Sequence, residues 1–439
     1  MTKRVADTHW HPDGLPRMPT TAASSRPRAI AGTGAAQNSR LIARRPLIDH
    51  RGRIAGWDLK LSALAQSRLR RPGAPRVLHE AYWLALSQAA NAVADNGQVP
   101  LIDAPEGATQ NEAFLLQLPA GSVLRLDRSL IAPSEIQAAT LVQKLHTHRI
   151  AIAAPIGPLP SAAVDFELLD ATDQNAAQTL RDFDSRHSER HTIAINVASF
   201  EEMTNAVRAG IDYCCGALVR VTNVQRSRKV PVQALSAAHI LAAVGSGRDA
   251  RSIAEMFKGD VALSFRLLRL VNSPAFGLNR PAESLQDAVV ALGSRELVRW
   301  LCVLLLSADA GNTLAPALHQ AALTRARMLE LLAIERGRID PPDALFVLGA
   351  FSLLDLLLGV PIEVALALVP MSPLATEALI AEGGPWCPYI DLARALESDD
   401  GRRLESACVA LAVEPESACN LWLEASVWAA STAASLAAE

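Results

Sequence analysis

Nowhere in the 439 residues do two cysteines stand in a C-x-x-C pair. The six thiols, Cys214, Cys215, Cys302, Cys387, Cys408 and Cys419, therefore encode neither a zinc ribbon nor a disulfide scaffold, and they fit buried side chains in a reducing compartment. A surplus of basic charge is missing as well, since 42 Lys and Arg stand against 45 Asp and Glu. A dedicated nucleic-acid binder needs a basic sheath for phosphate, so no nucleic-acid partner is expected. Ahead of Leu41 there is no apolar run of the kind a secretory signal carries. The longest greasy stretch, 344–369, is interrupted by Asp355, the Gly359-Val360-Pro361 turn and Glu363. A spanning helix needs ~20 predominantly apolar residues without such breaks, so the expectation is a cytoplasmic protein with no membrane partner.

What is present divides into three parts. Half of the residues are hydrophobic, which at ~150 residues per domain supports two or three compact cores. Residues 1–40 show no hydrophobic period and are rich in Pro, Ala, Ser, Thr and Arg, so a disordered leader is expected. From 41 to 224 short apolar or β-branched runs, at 54–61, 99–103, 123–127, 150–153, 164–169, 192–197 and 212–221, alternate with helical patterns at 77–96, 134–148, 175–187 and 200–209. Repeated βα units imply a parallel sheet, and about eight of them in so short a stretch imply a small (β/α) barrel of the TIM kind. The basic stretch 225–229 ends this pattern, and residues 225–439 read as an all-helical domain of about ten helices punctuated by Pro and Gly.

The helical part carries three motifs in order: the run from Asp260 to Leu278, which contains Asn272-Ser273-Pro274-Ala275-Phe276-Gly277; Ser284 to Gly293; and Arg295 to Trp300. Together they resemble the HDOD domain of bacterial signalling proteins. Upstream, Pro46-Leu47-Ile48-Asp49 and Ile54-Ala55-Gly56-Trp57-Asp58-Leu59 resemble the opening of an EAL domain, and 206–218 its closing segment. The whole chain from about Leu41 to Ala430 is similar to the two-domain EAL-HDOD family.

That resemblance implies a barrel which, in active relatives, hydrolyses cyclic di-GMP with two divalent metals held by carboxylates at the C-terminal ends of the strands. Carried over position by position, the motif's glutamate falls on Asp58 and later glutamates on Arg125 and Arg128. The paired aspartates fall on Ala153 and Ala154, the late glutamates near Ile195 and Ala198, and the glutamine before the final glycine on Cys215; the strand that carries the family's lysine has none. A cation at a ligand position repels a metal and alanine offers no donor oxygen, so the resemblance implies a degenerate barrel without cofactor or metal. In catalytic HD relatives a His-Asp pair follows a glycine-led apolar run; here Ser352 and Leu353 take those places, which is the HDOD condition. Arg125 and Arg128 as an anion site is the sharper alternative to ordinary ion-paired arginines.

Other signals are weighed toward structure. His187 and His191 share a four-residue spacing but sit in a charge-dense segment with no third ligand nearby, so a solvated helix end is preferred to a metal site. Gly32-Thr33-Gly34 follows no strand and opens no helix, so it is not a nucleotide loop. The turn around Asn272, Ser273, Phe276 and Gly277 reads as a cap with a buried aromatic, with partner recognition as the rival. Trp422 and Trp428 read as core or interface filler. The function these readings imply is a non-catalytic regulatory protein acting through contacts with unidentified signalling proteins in a cyclic di-GMP-related pathway, with binding of cyclic di-GMP itself not expected. The alternatives are a cyclic di-GMP phosphodiesterase and a non-hydrolysing cyclic-dinucleotide sensor.

Overall fold

A computed structural model describes residues 42–62, 65–66, 69, 76–105, 107–126, 135–155, 164–172, 191–216, 230–272, 276, 280–307, 313–337, 339–369, 371–398 and 401–437. The leader 1–40, the helical pattern 175–187 and the basic stretch 225–229 lie outside the described residues. The chain divides into two units: Met1–Val221 together with Arg394–Asn420, and Thr222–Ala393 together with Leu421–Glu439. The segment 394–420 thus groups with the N-terminal unit, whereas the sequence pattern assigned all of 225–439 to one helical domain. Period alone separates helix from strand and says nothing about which core a helix packs on. Arg44, buried in the first strand, lies close enough to Cys419 of this segment for the two to interact electrostatically.

The N-terminal unit is a closed eight-stranded barrel with strands in sequence order. Its elements are β1 (Ile42–Asp49), β2 (Ile54–Leu61), α1 (Arg76–Asp95), β3 (Val99–Asp103), a 3-10 turn (Ala108–Gln110), α2 (Glu112–Gln117), β4 (Val123–Arg125), α3 (Glu135–Thr147), β5 (Ala151–Pro155), β6 (Phe166–Asp170), β7 (His191–Val197), α4 (Phe200–Arg208) and β8 (Tyr213–Gly216). The strands from β2 to β8 pair in parallel, as βα repetition requires. β1 does not: it runs antiparallel to both β2 and β8. The tight Asp49 to Arg53 turn explains this, because Asp49 accepts from the main-chain N–H of Arg51 and of Arg53 and pairs with the Arg53 guanidinium at 2.8 Å. A connection that short permits only a hairpin.

Alternation fills the barrel. Leu47, Val99, Leu101, Val123, Ala151, Ala153, Phe166, Leu168, Ile193, Ile195, Tyr213 and Cys215 form one buried cluster, two residues apart along most strands. Phe166 meets Tyr213 edge-on at 6.2 Å. Strand backbones approach so closely at Gly216 that a Cβ there would stand 2.1 Å from the Val197 carbonyl oxygen.

The second unit is helical. Its helices begin with α5 (Val232–Gly245), α6 (Ala250–Phe257), α7 (Val261–Val271) and α8 (Leu285–Leu306), followed by α9 (Ala315–Glu335), α10 (Pro342–Phe351), α11 (Leu354–Leu358), α12 (Ile362–Leu366) and α13 (Pro373–Thr376). A π-helical turn (Glu377–Ala381), α14 (Cys387–Glu397), α15 (Gly401–Leu411) and α16 (Pro415–Ala437) complete the chain, α15 and the ends of α14 and α16 next to it belonging with the barrel. Asp249, Asp260 and Ser284 cap α6, α7 and α8, Ser284 through a full capping box with Asp287. α8 breaks at Gly293, whose φ of 74° and ψ of 161° only glycine adopts without strain. α9 is buried nearly all round, and α10 approaches it so closely that a Cβ on Gly349 would lie 2.6 Å from the Ala326 nitrogen. Among the described residues no helix is long and apolar enough to cross a membrane.

Candidate functional site

In a barrel of this kind the strands' C-terminal ends carry the chemistry, because loops and side chains converge there. Extending the inward alternation by one step reaches that rim: Leu101 leads to Asp103, Val123 to Arg125 and Leu168 to Asp170. Asp58 joins them from β2, directly opposite Leu101 of β3 and Arg45 of β1.

Arg125 is the hub. Its Nε donates to Asp103 Oδ1 at 3.2 Å and its Nη2 lies 2.7 Å from Asp103 Oδ2. Its Nη1 faces both oxygens of Asp58, at 3.3 and 3.5 Å. The Asp58 side chain is 1% exposed and that of Arg125 11%, so this pair is buried, while Asp103, at 38%, completes the triad from the solvent side. Burial alone would lower the Arg125 guanidinium, but Asp58 and Asp103 outweigh it and hold the group above its ordinary value. Cys215 of β8 sits in the same environment, and burial, reinforced by the negative charge of Asp58, pushes its thiol well up. Its neighbour Cys214 is pushed up to about 12 by burial. Neither thiol is a nucleophile at neutral pH.

A second chain of contacts crosses the rim. Arg45 Nη1 donates to Asn196 Oδ1 at 3.1 Å, and Asn196 Nδ2 donates to Asp170 Oδ2 at 3.0 Å. Asn196 has a φ of 57° in a strand whose register with β8 shifts between Ala194 and Val197. Asparagine is among the few side chains that tolerate this left-handed geometry, so the bulge carries Asn196 at modest cost. Although burial works against it, Asp170 is held below its usual range by hydrogen bonds from Thr172 and Asn196 and by the charge of Arg125.

Asp58, Arg125 and Cys215 therefore come together at the rim. Ala153 is part of the inward cluster, and Ala154, one residue on in the strand, is buried outside it. Arg128 lies outside the described residues. Asp103, Asp170, Asn196 and Arg45 were not among the sequence candidates; that Asp103 and Asp170 each close a strand was the signal available. His191, anticipated as part of a solvated helix end, opens β7 and pairs through Nδ1 with Asp212 at 3.4 Å. His187 lies outside the described residues. Among the described residues no group of three His, Cys, Asp or Glu side chains is placed to hold a metal.

In the helical unit Asn272 ends α7, exposed, and its amide both accepts from the Ala282 N–H at 2.7 Å and donates to the Ala282 carbonyl at 3.1 Å. These two bonds tie the end of α7 to Ala282. Phe276 is half-buried, between the two alternatives posed for it, while Ser273 and Gly277 lie outside the described residues. Ser352 and Leu353 follow α10. The Ser352 hydroxyl accepts from the fully buried Arg325 at 3.0 Å and donates to the Gly349 carbonyl. Nearby on α9, buried Glu330 pairs with Arg327 at 2.7 Å and with Arg299, whose guanidinium stacks on Phe346, 5.1 Å from the ring centroid. Arg327 in turn covers Trp428, and Trp428 meets Phe346 edge-on, placing this tryptophan in the packed interior face of α16. Trp422 is buried as well.

A closed barrel with an ion-paired rim and a separate all-helical unit define the class of molecule. Within it the helical unit carries an HDOD domain, whose family model matches residues 232–368. Among curated sequences the chain is 26% identical over 242 residues to the cyclic di-GMP phosphodiesterase CdgJ of Vibrio cholerae, covering 55% of this chain and 56% of that protein. It is 28% identical over 182 residues to the uncharacterized protein YuxH of Bacillus subtilis, covering 40% of this chain and 43% of that one. The chain thus spans about half the length of the curated relatives it matches. Among solved structures, the FimX EAL domain of Pseudomonas aeruginosa bound to c-di-GMP aligns with 42% of this chain and 94% of its own at 17% identity and a TM-score of 0.28. An EAL domain protein from Listeria monocytogenes aligns with 42% and 88% at 12% identity and a TM-score of 0.32.

Proposed function

We propose that this chain is a non-catalytic regulatory protein of a cyclic di-GMP-related pathway, working through protein contacts. The observation that carries this reading is the position of Arg125. Two-metal diester hydrolysis needs several carboxylates free to neutralise cations. At this rim Asp58 and Asp103 already face one guanidinium, Ala153 offers no donor, and Cys215 holds its proton. The residues present do not fit a pair of divalent cations, because a metal entering between Asp58 and Asp103 would meet a fixed positive charge. The triad instead engages both carboxylates with the chain's own cation, which turns a reactive mouth into a structural lid on the barrel core. On this reading the helical unit makes the partner contacts.

The test is direct. Purified full chain incubated with cyclic di-GMP and Mg or Mn should release no linear dinucleotide by chromatography, and calorimetry should register no cyclic di-GMP binding. Turnover that disappears in Asp58→Ala would overturn the reading in favour of a phosphodiesterase, the activity for which CdgJ is named. Binding without turnover would favour a sensor.

A further inference from the structure

The charge of the helical unit is unevenly distributed. Between 339 and 393 there are seven acidic residues, Asp340, Asp343, Asp355, Glu363, Glu377, Glu382 and Asp391, and no Lys, Arg or His. Asp340 pairs with Arg336 and Asp343 with Arg295, whereas Glu363 and Glu377 lie on a face that is otherwise apolar. Val364 on α12, Leu374 on α13 and Ile380 in the π-helical turn are exposed by 49, 39 and 39%, and Glu363 and Glu377 are exposed among them. α12 packs on the π-helical turn, so these residues belong to one region. π-helical turns are uncommon and concentrate at functional positions.

α7 has the opposite character. Val261 and Phe265, one helical turn apart, are exposed by 82 and 64%. Arg266 and Arg269 stand exposed beside them, and α7 contains no acidic residue. Neither arginine has a carboxylate partner among the described residues, and neither Glu363 nor Glu377 has a cationic one. Each face therefore combines large exposed aliphatic or aromatic groups with charges of a single, unanswered sign, and the two signs are opposite.

We propose that α7 of one chain docks on the α12 and π-turn face of a second copy. Two-fold symmetry makes the arrangement reciprocal: the basic face of each copy meets the acidic face of the other, so the contact forms twice and closes on itself. Apolar burial of Val261 and Phe265 against Val364, Leu374 and Ile380 provides the attraction, and the pairing of Arg266 and Arg269 with Glu363 and Glu377 sets the register.

Sedimentation equilibrium of the full chain over a concentration series tests this. Wild type should dimerise reversibly, and more weakly as salt is raised. The double variants Arg266→Glu/Arg269→Glu and Glu363→Arg/Glu377→Arg should each weaken self-association by about tenfold or more, through like charges brought face to face. Because all four side chains are exposed, each variant should keep the wild-type melting temperature. Mixed together, the two variants should recover a heterodimer, since every basic face then meets an acidic one again. A wild type that stays monomeric at all concentrations, or a dimer indifferent to either reversal or not restored by mixing, overturns the proposal. In the first case these faces serve other proteins.

Discussion

Arg125 at the barrel rim and His319 in the helical unit are both largely buried, with opposite outcomes. In the barrel unit each prominent ionisable group is matched by an opposite charge: Arg125 by Asp58 and Asp103, His146 by Asp165 at 2.9 Å, and His191 by Asp212. In the helical unit His319 is buried on α9, its Nε2 has no hydrogen-bond partner among the described residues, and burial pushes its pKa down to about 4. The rim keeps Arg125 charged through its carboxylates, and burial keeps His319 neutral. Stability of the first should therefore depend on charge balance, and that of the second on the absence of protons.

The comparison is broken most severely at the triad. Arg125→Met should cost about 3–5 kcal/mol, because Asp58 would remain buried without its cation. Urea denaturation of wild type and variant measures this, and an unchanged midpoint would show that the rim relaxes into solvent. The next effect is acid sensitivity of the helical unit. His319 titrates lower in the folded state than its unfolded value of 6.5, so the unfolded chain binds more protons between these values and stability falls as pH drops from about 6.5 to 4. The loss should approach about 3 kcal/mol at the lower end, and His319→Leu should remove it. Denaturation at pH 7 and pH 4.5, followed by hydrogen exchange in α9, reads the difference. The smallest effect has the opposite sign. His146 is raised by its hydrogen bond to Asp165, and His191 by its hydrogen bond to Asp212. Both contribute fully below pH 6.5, and that contribution disappears as pH rises through the folded values. Exchange in β5 and β7 should quicken modestly between pH 6.5 and 8.5, corrected for intrinsic rate, and His146→Gln should abolish the change near β5.

Much of this architecture is readable from the residues. Strands β2 and β3 fall at 54–61 and 99–103 as alternation anticipates, and the eight-stranded closure follows from βα repetition. β1 escapes the pattern because Arg44, Arg45 and Pro46 interrupt its apolar run, and only tertiary cover makes it a strand. At the rim, matching residues to the metal ligands of a resembling family finds Arg125 and Asp58 but passes over Asp103, which pairs with Arg125, and Asp170, which accepts from Asn196 and Thr172. Arg325 is invisible for a related reason: an arginine in the middle of a charged helical run reads as solvated, yet α9 is enclosed on nearly all sides. Burial of that kind is a property of the neighbours.

The reversed first strand also sets an order of events. β1 hydrogen-bonds to β2 across a tight turn, but its other edge is satisfied by β8, with Leu47 opposite Cys215. As the chain leaves the ribosome the hairpin can form early, while its outer edge must wait for the last strand of the barrel to be made. Closure is thus a long-range and late event, and until then an open strand edge persists in the nascent chain, exposed to mispairing and to whatever chaperone meets it first.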